Sequence, residues 1–236
     1  MRLLDCGCGP GSITVGLAEA AAPGEVIGLD LQPAQIERAR LLAAERGVLN
    51  VRFEVGDVSQ LPFPDASFDA AFAHTLLLHV RDRVGALREI RRVLKPGGVV
   101  GVVDDDHGAR LVAPPTPLME EALGLFMKVV QHHGGDPYFA RSMRGLLLQA
   151  GFARTEGSAT VDGGGCWGSG ADTRFFAEWM VEQMNGPAFA ELVVGEGWAD
   201  QSRLDAMAAA IHAWGARSDA FFAVMAPAAV GWVSDS

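Results

Sequence analysis

The chain has few cysteines, almost no tyrosine and too few basic residues to balance its acids. Three cysteines stand among 236 residues. Cys6 and Cys8 lie too close in extended chain to bridge comfortably, and an odd count leaves one over. A disulfide-stapled scaffold is excluded, and a reduced, cytoplasmic setting is expected. One C-x-C without a second pair is no zinc motif, so no metal is expected. Lys and Arg number 19 against 29 Asp and Glu, a formal charge of −10. Affinity for a phosphate backbone rests on Lys and Arg, so no nucleic-acid partner is expected. The six basic residues between Arg81 and Lys95 fall on the polar face of one expected helix and read as solvated. The start lacks the charged-then-apolar order of a signal peptide. No apolar run reaches the length of a membrane span, so a soluble protein is expected.

What is present begins at once. The stretch "MRLLDCGCGPGS" runs a hydrophobic strand into a loop with glycines at positions 7, 9 and 11. Such a strand-to-helix turn lets a ligand approach the backbone. Dinucleotide sites prefer G-x-G-x-x-G. Here the spacing is G-x-G-x-G, and Ser12 stands where that pattern places its last glycine. Asp5, just before the loop, opposes a pyrophosphate and suits a cationic ligand such as an amino acid's ammonium group.

The following residues alternate strands and helices. "EVIGLD", "VRFEVGD", "FDAAFAH" and "VVGVVD" read as strands. Between them, helices are predicted from a Ser12 cap to about Ala22, from Pro33 to Arg46 with Gly47 as the stop, and from an Asp82 cap through Leu94. Repeated strand–helix–strand units imply an α/β fold with a parallel sheet and helices on both faces. Ligands then sit at the carboxyl ends of the strands, near the reversal of strand order. The second half reads as more helical. Helices are expected in "PTPLMEEALGLFMKVVQHHGG" and "FARSMRGLLLQAG", and around 172–185, 187–195 and 201–216. "FARTEGSATV" is expected as a sixth strand, and "AFFAVMAPAAVGWV" as a last one interrupted by Pro227. One domain spanning 1–236 is expected.

Four segments in order carry a family resemblance. "LLDCGCGPG", "VIGLD", "EVGDVSQLPFPDASFD" and "VLKPGG" resemble the motifs of class I S-adenosylmethionine (SAM)-dependent methyltransferases. The closest flavour is the small-molecule subgroup resembling the ubiquinone and menaquinone biosynthesis enzymes. The resemblance covers residues 1 to about 106. It implies a Rossmann-like, doubly wound, mainly parallel seven-stranded sheet, with a SAM-binding half (1–106) and an acceptor-side half (107–236) carrying a helical insertion. The implied cofactor is SAM, with S-adenosylhomocysteine (SAH) as product, and the implied partner is a small-molecule acceptor.

Residue by residue, the resemblance gives Gly7, Gly9 and Gly11, with Cys8 between them, the methionine part of SAM, and Asp5 its ammonium group. Asp30 accepts from the ribose hydroxyls and Leu31 packs on the adenine. Asp57 accepts from the adenine amine, with Val58 beside it. Ala73 and His74 at the fourth strand tip approach the sulfonium, His79 lines the same wall, and Gln35 joins the cofactor contacts. Plainer readings stand beside these: Asp30 as a helix cap, Asp57 as a turn residue, the cysteines as small loop fillers, His79 as structural.

Methyl transfer from a sulfonium is an in-line displacement, so the protein chiefly aligns the reactants. A base is needed when the acceptor loses a proton, and histidine suits neutral pH. His107 is the first candidate, His74 the second, and Asp106 could orient either. The aspartates of "DDDH" could equally just end the strand. Tyr138, Phe139 and Trp167 are candidates for the acceptor pocket, with Trp167 either a lid or a surface aromatic. Relatives carry cover helices before the first strand, and none precedes it here. Either the reading frame begins inside a longer protein, or the 172–216 helices or a second subunit of a homodimer supply the cover. Two other functions are weighed: a non-catalytic or repurposed SAM-binding protein, and, less favoured, an NAD(P)-dependent oxidoreductase.

Overall fold

A computed structural model describes residues 1–161 and 166–235, with backbone alone at Cys166 and Trp167. Of the glycine-rich loop that "DGGGCWGSG" predicts, residues 162–165 and the Trp167 side chain lie outside the described residues, whereas 166–167 form a strand and Gly170 opens a helix. The chain forms two compact units: Met1–Asp104 with Phe139–Ala159 and Pro227–Ser236, and Asp105–Tyr138 with Thr160–Ala226. Among the described residues no helix is long and apolar enough to cross a membrane.

The first unit is a sheet with strand order β3-β2-β1-β4-β5-β9, and β7 pairs β9. Its strands are β1 (Arg2–Cys6), β2 (Glu25–Asp30), β3 (Val51–Val55), β4 (Phe68–His74), β5 (Leu94–Val103), β7 (Arg154–Thr160) and the second half of β9 (Phe221–Trp232). This is the seven-stranded arrangement that the resemblance implies. The pairs β1–β2, β1–β4, β2–β3 and β4–β5 are parallel, and β5–β9 is antiparallel. Parallel strands covered on both faces read as continuous apolar runs. Accordingly Leu4, Val26 and Ile27 are fully buried. Strand order reverses between β1 and β4, so their carboxyl ends open the crevice where ligands bind in such sheets.

Helices α1 (Ser12–Ala21), α2 (Pro33–Arg46), α3 (Arg83–Val93) and α5 (Met143–Gln149) belong to the same unit. Gly47 ends α2 at φ 66° and its N–H bonds back to Ala43 O and Ala44 O, and the Asp82 carboxylate caps α3 by accepting from Gly85 N at 2.8 Å, both as expected. Two boundaries differ. Gly11, in the left-handed region at φ 86°, precedes α1, and Ser12 is already helical with no side-chain cap bond. A methyl on Gly11 would lie 2.7 Å from Ala39 Cβ, so close loop–helix packing rather than capping chemistry sets this start. Leu94, expected as the last helical residue, instead opens β5 against Phe68.

The second unit holds β6 (Asp106–Ala113), α4 (Pro117–His132), β8 (Cys166–Trp167), α6 (Gly170–Asn185), α7 (Pro187–Gly195), α8 (Gln201–Gly215) and the first half of β9. The sequence does not mark β6 as a strand. Its glycine and charged residues carry little strand propensity, and pairing with Phe221–Met225 supplies the ladder. Pro227, which lacks an N–H, falls in β9 between the residues paired with β6 and those paired with β5, where no ladder donor is needed. The helices close on a core around Trp214, 1% exposed, whose Nε1–H donates to Ala113 O at 3.2 Å. Phe176 stacks on Phe222 there at 4.2 Å between centroids.

Candidate functional site: a cofactor cleft at the strand tips

The glycine loop after β1 is stitched to the tip of β2. Gly7 N and Cys8 N both donate to Leu29 O, at 2.7 and 3.0 Å, and Gly9 N donates to Asp30 Oδ2 at 3.0 Å. Gly7 and Gly9 adopt φ of 69° and 52°, a conformation that favours glycine. A methyl at Gly7 would strike Leu76 Cδ1 at 2.7 Å, whereas one at Gly9 would meet nothing within 4 Å. The loop is thus packed against Leu76 at Gly7 and open at Gly9.

Above it lies a cleft of about 420 Å³, built wholly from the first unit. Of the expected residues, Gly7, Gly9, Asp30, Leu31, Asp57, Val58 and His79 line it. Asp30 also accepts from Gln32 N at 2.9 Å through Oδ1, so it binds backbone with both oxygens. Each carboxylate oxygen has a second lone-pair direction, which leaves room for hydroxyl donors. Asp57 Oδ1 accepts from Ser59 N at 2.8 Å, so it is a turn residue and a cleft residue together. Leu31, 66% exposed, offers an apolar surface at the mouth.

The other expected residues do not line this cleft. Asp5 is buried under the loop and accepts from the Thr14 hydroxyl at 2.7 Å, which turns it toward α1 rather than toward a ligand. Burial, opposed by that hydrogen bond and reinforced by the nearby Asp30 charge, pushes its pKa up to about 7. Cys8 is buried with its pKa raised to about 12, chiefly by burial and then by Asp5 and Asp30, so it is an inert filler. Gly11 faces α2, and Ala73 is buried within β4. The Gln35 carbonyl oxygen is buried without a hydrogen-bond partner. His74 Nδ1 lies 3.0 Å from the Thr75 hydroxyl, and its ring stacks along Phe72. Asp106 and His107 belong to the second unit. There Asp106 is buried and accepts from Gly108 N at 3.0 Å, and His107 O accepts from Arg110.

Sequence reasoning misses the wall that follows β4. Thr75, Leu76, Val80 and Arg81 line the cleft. Thr75 holds φ 50°, the left-handed region that non-glycine residues rarely adopt. Two polar contacts grip the 3₁₀ turn Leu77–His79 behind it. The buried Asp104 carboxylate accepts from Leu78 N at 3.2 Å, and Arg83 Nε donates to Leu77 O at 3.0 Å. The signal for Asp104 was its place at the tip of β5. Its partner is a backbone amide, which no side-chain pattern announces.

A family model described as "Methyltransferase domain" matches residues 4–102. "Probable methyltransferase ltbC" of Aspergillus luteorubrus is 30% identical over 249 residues, covering 98% of this chain and 85% of that protein. The chain belongs to the class I SAM-dependent methyltransferase family. The nicotinamide alternative is thereby set aside. Within the family, the demethylmenaquinone methyltransferase of Lactococcus lactis is 35% identical over 145 residues, covering 61% of this chain and 55% of that enzyme. The chain spans about half the length of several curated relatives that it matches. Among solved structures, the [4+2]-cyclase SpnF is 26% identical with a TM-score of 0.59, covering 95% of this chain and 74% of that one.

The residues present fit the family's cofactor SAM. The open backbone at Gly9 admits close approach, Asp30 and Asp57 supply acceptors, and Leu31 and Val58 supply apolar surface.

Two expectations follow. Asp5 binds a proton more tightly folded than unfolded, where its pKa is about 3.9. Between about pH 4 and 7 the native state therefore holds more protons, and stability falls as pH rises. Asp5→Asn should flatten that decline when urea midpoints are compared at either end of this window; an unchanged slope would contradict the burial argument. Asp104→Ala should weaken SAH binding about tenfold by releasing Leu78, while Asp104→Asn, which keeps an acceptor, should stay within about threefold. Equal weakening in both, measured by calorimetry, would remove Asp104 from this positioning role.

Proposed function

We propose that this protein binds SAM in the first-unit cleft and transfers a methyl group to a small, partly apolar acceptor. The observation that carries this reading is the convergence of Gly9, Asp30 and Asp57 on one cleft that apolar Leu31 and Val58 also line. SAM, when bound, supplies an electrophilic methyl on a sulfonium. The chain's share is alignment, which contributes as much as about 7–11 kcal/mol where geometry is favourable. Asp30 receives the ribose hydroxyls, Asp57 the adenine amine, and the loop amides and Gly9 shape the methionine end. The turned wall of Thr75, Leu76 and His79 faces the same cleft. For an acceptor that must lose a proton, such as a phenol, His74 at the tip of β4 is the proposed base. The net charge of −10 favours a small neutral or cationic acceptor over a nucleic acid. Free Cys6 and Cys8 support a reduced, cytoplasmic setting.

One observation supports a second reading. The similarity to SpnF, which bears the name of a [4+2]-cyclase, favours a repurposed SAM-binding protein that uses the cleft without transferring methyl.

Titration calorimetry with SAH separates cofactor binding from chemistry. Asp30→Ala should weaken SAH by roughly 10–100-fold, the loss of hydrogen bonds to a charged acceptor together with the Gly9 tether. Unchanged affinity would overturn the cleft assignment. SAH release on incubation with SAM and a panel of phenols, quinols and amines supports methyl transfer, whereas tight SAH binding without turnover supports the second reading.

A further inference from the structure

Strand β3 forms one edge of the first-unit sheet, pairing with β2 and with no other strand among the described residues. Its ladder shows which way its backbone faces. Val26 N donates to Asn50 O at 2.9 Å, and Gly56 N donates to Asp30 O at 3.0 Å. In a parallel pair alternate residues bond the same neighbour, so the even-numbered residues face β2. Val51, Phe53 and Val55 then turn their N–H and C=O groups outward. One of these groups, Phe53 O, accepts from Arg40 Nη2 at 2.8 Å. Beside the strand lies an open groove of about 540 Å³ between α2 and β3, lined by Ala44, Leu49 and Phe53 among others. Leu49 in its lining is 94% exposed, and Val55 at the end of the strand is 50% exposed.

The edge itself reads Val-Arg-Phe-Glu-Val, which complements itself in antiparallel order. About a dyad at Phe53, Val51 of one copy lies opposite Val55 of the other, and Arg52 opposite Glu54. We propose that β3 is a homodimer interface, through which two copies of this chain pair antiparallel about Phe53 and run one sheet through both.

The register satisfies three independent demands. The outward-facing residues 51, 53 and 55 fall into hydrogen-bonded pairs, each exchanging two N–H···O bonds. Arg52 and Glu54 fall into the non-bonded pairs, where opposed side chains come closest and opposite charges help. The neighbouring registers that keep the same backbone pairing set Arg52 against Arg52, or Glu54 against Glu54, and are repelled. Because Phe53 packs beneath α2, and the dyad of an antiparallel pair stands perpendicular to the sheet, both α2 helices fall on one face. The two grooves then meet, and Leu49 adds apolar contact that a five-residue ladder lacks; stable interfaces bury roughly 1,200–2,000 Å². Within a copy, Arg52 also pairs with Glu25, which holds the guanidinium on the exposed face of the sheet. Bonding to a second strand displaces Arg40 from Phe53 O, a local exchange of one acceptor's donor for another.

Sedimentation velocity on the full chain over a dilution series tests this. The unaltered protein should be dimeric. R52E and E54R should each weaken self-association by at least about tenfold, because every charge pair across the dyad becomes a like pair. An equimolar mixture of the two variants should regain the dimer, since one copy then carries acids at both positions and the other bases. A destabilised fold could not produce that recovery. Three results would each overturn the proposal: a monomer at every concentration, single variants as dimeric as the parent, or a mixture no better associated than its components.

Discussion

Two backbone amides from distant parts of the chain meet on the Asp30 carboxylate: Gly9 N from the loop after β1 and Gln32 N from the entry to α2. This contact sets the cleft. It holds the loop above the tip of β2, keeps the N-terminus of α2 in register with it, and leaves an acidic group pointing into open space. The packing around the loop agrees with it. Gly11 has no side chain because Ala39 of α2 occupies the space, and Gly7 has none because Leu76 does. The loop is therefore fixed by one carboxylate, two close approaches and the shared acceptor Leu29 O.

The opposite wall is made differently. After β4 the chain turns through Thr75 in the left-handed region, a conformation that persists only where neighbouring contacts over-determine it. Those contacts are Thr75 N to Val103 O, Leu78 N to the Asp104 carboxylate, and Arg83 Nε to Leu77 O. Asp104 is buried, so its bond to Leu78 N satisfies a group that would otherwise be costly to hide. Arg83 lies over the Phe139 ring at 4.9 Å, which ties this wall to the segment that returns to the first unit after the second.

Much of this was legible in the residues. Strand and helix order in the first hundred positions follows from hydrophobic period, glycine stops and the Asp82 cap, and of the residues the family resemblance named, Asp30, Asp57, Gly7 and Gly9 line one cleft whereas Gly11 packs on α2. What escaped has physical reasons. Asp5 looked like a ligand group because it precedes the glycines, but strand alternation and Thr14 turn it inward. Ser12 looked like a cap, yet packing at Gly11 sets the helix start. Strand β6 has weak propensity of its own and depends on β9 for its ladder. The Thr75–Arg81 wall depends on backbone amides and an uncommon dihedral, features that leave no mark in residue type or spacing. The charge-complementary edge of β3 shows the converse: its residues were plain in the sequence, but their meaning needed the outward direction of the ladder.

The central claim is that the glycine loop, Asp30 and Asp57 together hold the nucleoside of SAM. The most direct test is a crystal structure of the protein with SAH. The account predicts the adenine between Leu31 and Val58 with its amine at Asp57, and the ribose hydroxyls on Asp30 while Gly9 N keeps its bond to that carboxylate. A nucleoside bound outside this cleft, or inside it with Asp30 and Asp57 both uncontacted, would contradict the account.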